Sequence, residues 1–235
     1  MFTLESTVRF SECNSCGKLS VSGVINYFQD VAEMHSHSVG DKNGECLDIA
    51  WVLNAWQIQV KKLPALGEKI TVLTKPHQLK GFEAQRNCMI QDESGEIIVN
   101  ANSIWTLLDK KNLRPVRINP EMTAYYELEE SYPMEYAPRR ISIKDIPPES
   151  FQNAGSVLVR HSQIDLNQHM NNSQYATVAM DFLPAEYCFS QLRVEYRKAA
   201  VLGEILNVRQ FRQDNAVYTL IENAGAEILA IVLTE

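Results

Sequence analysis

An internal repeat runs through this sequence. Val8-Arg9-Phe10-Ser11-Glu12 resembles Val159-Arg160-His161-Ser162-Gln163 at an offset of 151 residues, and Leu66-Gly67-Glu68 matches Leu202-Gly203-Glu204 at an offset of 136. The matches keep the same order in both halves, and the change of offset means that the second copy lacks about 15 residues after its helix. A duplicated sequence predicts two similar domains packed as a pseudo-dimer.

A proline-rich stretch separates the two copies. Six of the nine prolines lie between Asp109 and Ser150, and each proline fixes φ and removes a backbone donor. We therefore expect this stretch to cross the surface without long regular elements, and its tyrosines predict that it packs down onto the domains. The predicted organisation is an N-terminal domain at 1–108, a linker at 109–150 and a C-terminal domain at 151–235.

Each copy has one helix followed by consecutive strands. Apolar residues recur at helical spacing from Val21 to His35 before Gly40, and again from Tyr175 to Leu183 before Pro184. The predicted strands include Lys69–Thr74, Glu83–Gln91, Glu96–Leu108, Gln191–Arg197, Glu204–Phe211, Ala216–Glu222 and Glu227–Leu233. This order is typical of an α+β protein with antiparallel sheet. A long helix wrapped by such a sheet is a hotdog domain, so two tandem copies predict a double hotdog.

Composition excludes several classes of protein. The chain has 235 residues, 45% of them apolar, and a net charge of −7, which is typical of a globular protein and argues against a nucleic-acid binder. No apolar run reaches the roughly 18–20 residues of a membrane span. The first residues lack the basic and apolar regions of a signal peptide. We therefore expect a cytoplasmic protein with no nucleic-acid partner and no membrane span.

The five cysteines do not predict a disulfide framework, because their number is odd and they are scattered. Cys13 and Cys16 have the spacing of a metal or redox pair. A structural zinc site wants about four ligands, however, and the nearest candidates, His35 and His37, are separated by a single residue. The favoured interpretation is a loop with two free thiols, with no metal and no cofactor.

A cluster of polar residues immediately precedes the second helix. Asp165, Asn167 and His169 alternate along the chain, and residues two apart on an extended loop point the same way. A carboxylate, a carboxamide and an imidazole could therefore converge on one reacting centre. His169 can transfer protons near neutral pH, and the following helix end can favour an oxyanion. Asn171 and Asn172 are expected to be helix caps.

The matching loop of the first copy has lost this set of groups. Asn14, Cys16 and Lys18 stand at the corresponding positions. Motifs of nucleotide-binding glycine loops and of serine nucleophile turns are absent from the whole sequence. This division predicts one catalytic site, in the second domain, and assigns the first domain to binding.

With these residues in place, the sequence resembles the bacterial and plant acyl-acyl carrier protein thioesterase family over nearly its whole length. The most specific mark is Asp165-x-Asn167-x-His169-x-Asn171-Asn172-x-x-Tyr175. The other marks are Asn26-Tyr27-Phe28-Gln29-Asp30-Val31-Ala32, His35-Ser36, Gly40, Trp51-Val52-Leu53, Pro64-x-x-Gly67-Glu68 and Glu195-Tyr196-Arg197.

The resemblance implies a double hotdog fold and hydrolysis of the thioester of acyl chains carried on acyl carrier protein. The family's catalytic Asp, Asn and His match Asp165, Asn167 and His169. The start of the sequence shows no transit peptide, which makes it similar to the bacterial branch.

One departure from the family pattern bears on mechanism. Plant members carry a Glu and a Cys after the Tyr-Arg segment, both discussed as catalytic, where this sequence has Ala199 and Ala200. The resemblance therefore implies water activated at the Asp/Asn/His loop, with Glu195 or Glu204 as further carboxylates. An acyl-CoA thioesterase on the same fold and a weakly active or non-catalytic acyl-binding protein are the alternatives.

An acyl chain needs a long apolar channel, and the first helix with the strand after it offers candidates. They are Val24, Ile25, Phe28, Ala32, Trp51, Val52 and Trp56. The alternative is that these residues only fill the core.

Docking of the carrier protein needs a local basic patch, because acyl carrier proteins are acidic and this chain itself carries −7. The candidates are Arg193, Arg197 and Lys198, with Arg139 and Arg140 in the linker. A homodimer of the two-domain unit is compatible with the sequence.

Overall fold

Within the residues that the structure describes, one antiparallel sheet of ten strands carries two α-helices that contact each other. The computed structural model describes residues 1–40, 48–184 and 186–235, so that Cys46 lies outside the described residues. The helices are α1 (Val21–Ser38) and α2 (Asn172–Asp181). The strands are β1 (Phe2–Thr7), β2 (Ile49–Val60), β3 (Lys69–Lys80), β4 (Glu83–Gln91), β5 (Ile97–Asp109), β6 (Gln152–Leu158), β7 (Gln191–Tyr196), β8 (Ile205–Gln213), β9 (Ala216–Glu222) and β10 (Ile228–Thr234).

The two halves of the sheet meet at β2 and β7 around a pseudo-two-fold axis. The strand order is β1-β3-β4-β5-β2-β7-β10-β9-β8-β6. Gln57 pairs with Arg193 at the junction, and these two residues are related by the repeat offset of 136. Trp56 pairs with Val194 and Ile58 with Leu192, so the register is symmetric about the central pair. The predicted pseudo-dimer and double hotdog fold are confirmed.

Hydrogen bonds outside the sheet repeat as well. The Val8 N–H donates to the Glu68 carbonyl at 3.0 Å, and in the second domain the Val159 N–H donates to the Glu204 carbonyl at 2.9 Å. The duplication therefore extends from short sequence matches to the geometry of individual turns.

The two helices differ in length, and this difference decides where a cavity can form. α2 ends at Asp181, the counterpart of Asp30, so the last two turns of α1 have no equivalent in the second domain. There, the ring of Phe182 takes up the space over β6: a Cβ added to Gly155 would lie 2.6 Å from the Phe182 ring. The N-terminal domain instead extends Ala32 and His35 over its sheet.

The proline-rich segment packs against the sheet through hydrogen bonds to strand side chains. The Gln57 side chain donates to the Glu135 carbonyl at 2.9 Å and accepts the Ala137 N–H at 2.8 Å. The Tyr132 N–H donates to the Asn87 side chain at 2.9 Å. The part of the linker from Tyr132 to Ala137 thus covers the face of the sheet opposite the helices.

The strand boundaries largely follow the sequence pattern. β4 and β9 have the predicted bounds, but β3 runs to Lys80 instead of ending at Thr74. The sheet accommodates Pro76 at a register shift between Pro76 and Gln78, where a missing N–H costs little. The strands stop at Asp109 and resume at Gln152. Neither described helix has the length and apolar character needed to cross a membrane.

Candidate active site

The loop before α2 is a tight turn built around the side chain of Asp165. Its Oδ1 accepts the N–H groups of Asn167 at 2.8 Å and His169 at 3.3 Å. The Asp165 N–H in turn donates to the His169 carbonyl at 2.8 Å, and Gln168 adopts φ +62° to close the turn. The side chains of Asn167 and His169 are left exposed to solvent.

The first domain contains the same turn without the same chemistry. Asn14 Oδ1 accepts the N–H groups of Cys16 at 3.0 Å and Lys18 at 3.1 Å. Its own N–H donates to the Lys18 carbonyl at 2.8 Å, and Gly17 at φ +68° closes the turn. The amide oxygen of Asn14 therefore accepts the same backbone hydrogen bonds in this loop that the carboxylate of Asp165 accepts in the other. What distinguishes the second domain is the pair of groups that the turn displays.

Backbone hydrogen bonds attach the candidate loop to the segment after β7. The Met170 N–H donates to the Ala200 carbonyl at 2.9 Å, and the Ala200 N–H donates to the Tyr175 hydroxyl at 2.8 Å. Burial, together with the charges of Glu204 and Asp165, raises the pKa of Tyr175 to about 12. The Tyr175 hydroxyl is therefore neutral and serves as a fixed point between the loop and the sheet.

The N-terminus of α2 is capped by Asn171, as predicted. Its Oδ1 accepts the Ser173 N–H at 2.8 Å, and its own N–H donates to the Gln163 carbonyl. The N–H groups of residues 167–171 and of Ser173 all find acceptors within the chain. These bonds occupy most of the donors near this helix end, so its role towards an oxyanion stays a prediction, and the exposed side chains of Asn167 and His169 are further candidates for that role.

The two positions that the family resemblance matches to a Glu and a Cys, Ala199 and Ala200, offer no reactive group. Ala199 is exposed, whereas Ala200 is fully buried. Glu204 lies beside the loop, where its carboxylate accepts the Val201 N–H at 3.1 Å.

Two side chains of β7 hold the linker instead of serving the site. Glu195 is buried and accepts the Ile141 N–H at 2.8 Å and the Arg197 Nε–H at 2.9 Å. Arg193 donates to the Pro138 carbonyl at 2.6 Å and to the carbonyl of residue 140 at 3.2 Å, and burial lowers its pKa. Neither a water-activating role for Glu195 nor a docking role for Arg193 fits these contacts.

A cavity opens in the N-terminal domain beneath the part of α1 that α2 lacks. It encloses about 510 Å³ of empty space, part of it open to solvent. Its walls combine the apolar residues Ala32, Trp51, Pro76, Leu79, Ala84 and Trp105 with the polar residues Gln29, Glu33, Ser36, Gln85, Arg86 and Tyr126.

Ala32 and Trp51 are the two predicted acyl-chain residues that line this cavity. Val52 is 38% exposed. The other four belong to the hydrophobic core, namely Val24, Ile25, Phe28 and Trp56. Helical spacing could not separate these groups, because cavity wall and core are both apolar.

A polar cluster that the sequence pattern does not predict lies at one wall of the cavity. Arg86 Nη1 donates to His35 Nδ1 at 2.9 Å and to Thr74 Oγ1 at 3.1 Å. The guanidinium lies 5.7 Å from the ring centroid of Tyr126, whose hydroxyl is 2.6 Å from Ser36 Oγ. His35 and Ser36 stand in a quoted motif, but the only sequence signal for Arg86 was an isolated cation in a predicted strand.

We expect the His35 imidazole to make stability depend on pH. Burial, with the nearby charge of Arg86, lowers the pKa of His35 to about 4. The unfolded chain binds a proton at His35 below about pH 6.5. The free energy of unfolding therefore has its full value above that pH and falls as the pH drops towards 4. His35→Asn keeps an acceptor for Arg86 and should remove on the order of 3 kcal/mol of this loss. Urea titrations across this range measure it; parallel curves for both proteins would contradict the assignment.

The two cysteines near the turn of the first domain, Cys13 and Cys16, are free thiols. Cys13 is half-buried and Cys16 is exposed. In the part of the chain that the structure describes, no group of three or more His, Cys, Asp or Glu side chains could hold a metal ion.

Comparison with protein families gives two matches that together span most of the chain. The family model described as "Acyl-ACP thioesterase N-terminal domain" matches residues 1–126, and "Acyl-ACP thioesterase C-terminal domain" matches residues 148–232. Among curated proteins, the chain is 27% identical to the chloroplastic acyl-[acyl-carrier-protein] hydrolase FATB3 of Cuphea viscosissima, over 87% of this chain and 53% of that protein. The chain thus spans about half the length of the curated plant relatives it matches.

Solved structures show the same fold. An acyl-ACP thioesterase from Bacteroides thetaiotaomicron superposes with a TM-score of 0.89 at 20% identity, covering 99% of this chain and 96% of that one. The 12:0-ACP thioesterase from Umbellularia californica gives a TM-score of 0.84 at 20% identity, covering 100% of this chain and 96% of that one.

Proposed function

The chain belongs to the acyl-ACP thioesterase family, and we propose that it hydrolyses the thioester that joins an acyl chain to acyl carrier protein, releasing a free fatty acid. The observation that carries the proposal is the structural difference between the two duplicated domains. One turn displays Asn167 and His169 to solvent, whereas its counterpart displays Cys16 and Lys18. The cavity lies in the other domain, beneath turns of α1 that have no equivalent.

In the proposed reaction, water attacks the thioester carbonyl carbon directly. His169 takes a proton from the water as it adds, and it returns a proton to the sulfur as the carbon–sulfur bond breaks. The products are a carboxylic acid and the thiol of the carrier. Asn167 donates its side-chain N–H to the carbonyl oxygen, on which negative charge develops. Asp165 is a positioning residue that shapes the turn, and the reaction requires no cofactor.

The acyl chain is proposed to occupy the cavity of the N-terminal domain. Burial of each CH₂ group contributes about 0.8 kcal/mol, which the apolar wall formed by Ala32, Trp51 and Trp105 would supply. Arg86 places a positive charge at the same cavity, and a methyl terminus gains nothing from contact with a guanidinium. We therefore expect the methyl end of an unsubstituted acyl chain to stop short of the Arg86 guanidinium.

Steady-state hydrolysis of acyl-acyl carrier protein and acyl-CoA substrates of several chain lengths tests the proposal. Preferential cleavage of the carrier-protein substrate is expected. Equal or better cleavage of acyl-CoA would identify an acyl-CoA thioesterase. Ala199 favours one further candidate, a non-catalytic acyl-binding protein, because no carboxylate stands at that exposed position. Binding of an acyl chain without turnover of either substrate would establish that function.

Substitution of Asp165 separates the shape of the turn from its charge. Asp165→Asn should keep the free energy of unfolding within about 0.5 kcal/mol, because Asn14 makes the equivalent bonds in the first domain. Its turnover should stay within about tenfold of the parent, since the carboxylate only positions the turn. Asp165→Ala leaves two N–H groups without their acceptor and should cost about 1–2 kcal/mol. Urea unfolding and kcat measure both effects. A fall in kcat for Asp165→Asn as large as that for His169→Ala would show that the charge takes part in the chemistry.

A further inference from the structure

We propose that the surface of the C-terminal domain beside the candidate loop is where acyl carrier protein docks. We call this surface the C-terminal rim and define it by Leu158, Arg160, Leu166, Val201, Leu202 and Ile205. The inference rests on the proposed function and adds the partner's binding surface to it.

The rim is continuous with the loop that displays Asn167 and His169. Leu166 lies within the loop itself. The Gly203 N–H donates to the Val159 carbonyl at 3.0 Å, which fixes the turn of Val201 and Leu202 against the strand that leads into the loop. Because a carrier must bring its thioester to this loop, we expect the carrier to rest on the surface near it.

The rim exposes several large apolar side chains together. Leu166 is fully exposed, and the other four apolar members are between 45% and 53% exposed. Leu158 and Ile205 are direct cross-strand partners between β6 and β8, so they form one patch. Grouped apolar exposure of this kind marks an interaction site more often than scattered single residues do.

The duplication supplies an internal reference for this surface. At the positions of Leu158, Leu166 and Ile205, the first domain has a threonine, a serine and a lysine: Thr7, Ser15 and Lys69. The backbone turns are the same in both domains. Leu202, by contrast, has a leucine as its counterpart, Leu66, which is 49% exposed. The fold therefore does not require apolar residues at the other three positions, and their presence there on the C-terminal side alone points to a partner.

The two domains also differ in charge at this surface, and this difference again favours a partner on the C-terminal side. In the first domain, Arg9 forms an ion pair with Glu12. The counterpart of Glu12 is Gln163, which accepts the Arg160 N–H at 2.9 Å but carries no charge. Within residues 1–40, 48–184 and 186–235, no carboxylate lies within 4 Å of the Arg160 guanidinium.

This unneutralised cation suits an acidic carrier. Arg197 and Lys198, which sequence analysis proposed for docking, are paired with Glu195 and Glu227. The carboxylates beside the rim, Asp165 and Glu204, accept backbone N–H groups, which orients them into their turns and leaves their charges in place. Since the chain has a net charge of −7, attraction of an acidic partner needs such a local positive group.

The test is a matched pair of double variants. Arg160→Glu with Leu202→Asp alters the rim, and Lys69→Glu with Leu66→Asp makes the same charge changes at the pseudo-equivalent surface of the first domain. Each is assayed with acyl-acyl carrier protein and with the same acyl group on N-acetylcysteamine, which lacks the carrier. We expect the rim variant to raise KM for the carrier substrate at least tenfold at low salt, with the carrier-free reaction within about twofold of the parent. The control variant should match the parent on both substrates.

Several outcomes would overturn the proposal. Equal losses on both substrates would show that the rim supports the loop itself, and equal effects of the two variants would show a general effect of charge. No effect on the carrier substrate would exclude docking here. A parent dimer that the rim variant dissociates in sedimentation would identify a second copy as the occupant.

Binding of the carrier protein is measured separately by calorimetry. This keeps the docking proposal distinct from the proposed function. If the parent cleaves neither substrate yet binds acyl carrier protein, and the rim variant does not bind it, the hydrolytic function fails and the docking surface stands. Equal carrier binding by both proteins would reject the docking surface.

Discussion

His169→Ala and Asn167→Ala are each expected to lower kcat for acyl-acyl carrier protein about 100-fold or more. His169 carries both proton transfers in the proposed reaction, and such groups contribute about 10²–10⁴ in rate. Asn167 meets the developing oxyanion, a contribution of similar size. Both side chains are exposed on a turn whose shape depends on Asp165 and the backbone. Thermal unfolding should therefore change little, and the loss should lie in kcat.

The first domain provides matched controls for these variants. Cys16→Ala and Lys18→Ala change the corresponding positions of the same turn, and both should leave turnover near that of the parent. The comparison is sharp because the backbone hydrogen bonds of the two turns are alike. If Cys16→Ala proved as damaging as His169→Ala, catalysis would not be confined to the second domain.

The repeat and the polar loop could be predicted from sequence because both depend on local order. Two offsets, 151 and 136, located the pseudo-symmetric halves. The alternation of Asp165, Asn167 and His169 identified a turn whose hydrogen bonds join residues at most four apart. Interactions of such short range leave their mark on the sequence directly.

Contacts between segments distant in sequence could not be predicted in this way. Arg193 and Glu195 alternate along β7 and so share a face, but strand period does not reveal that the linker covers that face. The cavity arises because α1 continues two turns beyond the end of α2. Apolar spacing predicted a buried face for both helices. It could not show at which residue that face ceases to contact the sheet.

Ala32→Leu is expected to shorten the acyl chain that the enzyme accepts. Ala32 is nearly buried on α1 and lines the cavity, so a leucine there would take the space of about three methylenes. Each displaced CH₂ forfeits about 0.8 kcal/mol of burial, so three together lower kcat/KM by roughly 60-fold. The loss should fall on the longest acyl-acyl carrier protein substrates, while shorter chains keep their rates. A series of saturated chains that differ by two carbons measures the shift.

Phe28→Leu distinguishes this effect from a general weakening of the helix. Phe28 lies on the same helix, but it is fully buried in the core, and its ring centroid is 5.8 Å from that of Trp56. Shrinking it should lower the free energy of unfolding by about 1–2 kcal/mol through lost packing. Chain-length preference should stay unchanged, because this side chain does not line the cavity. A shift in preference with Phe28→Leu and none with Ala32→Leu would place the acyl chain among the core residues instead of in the cavity.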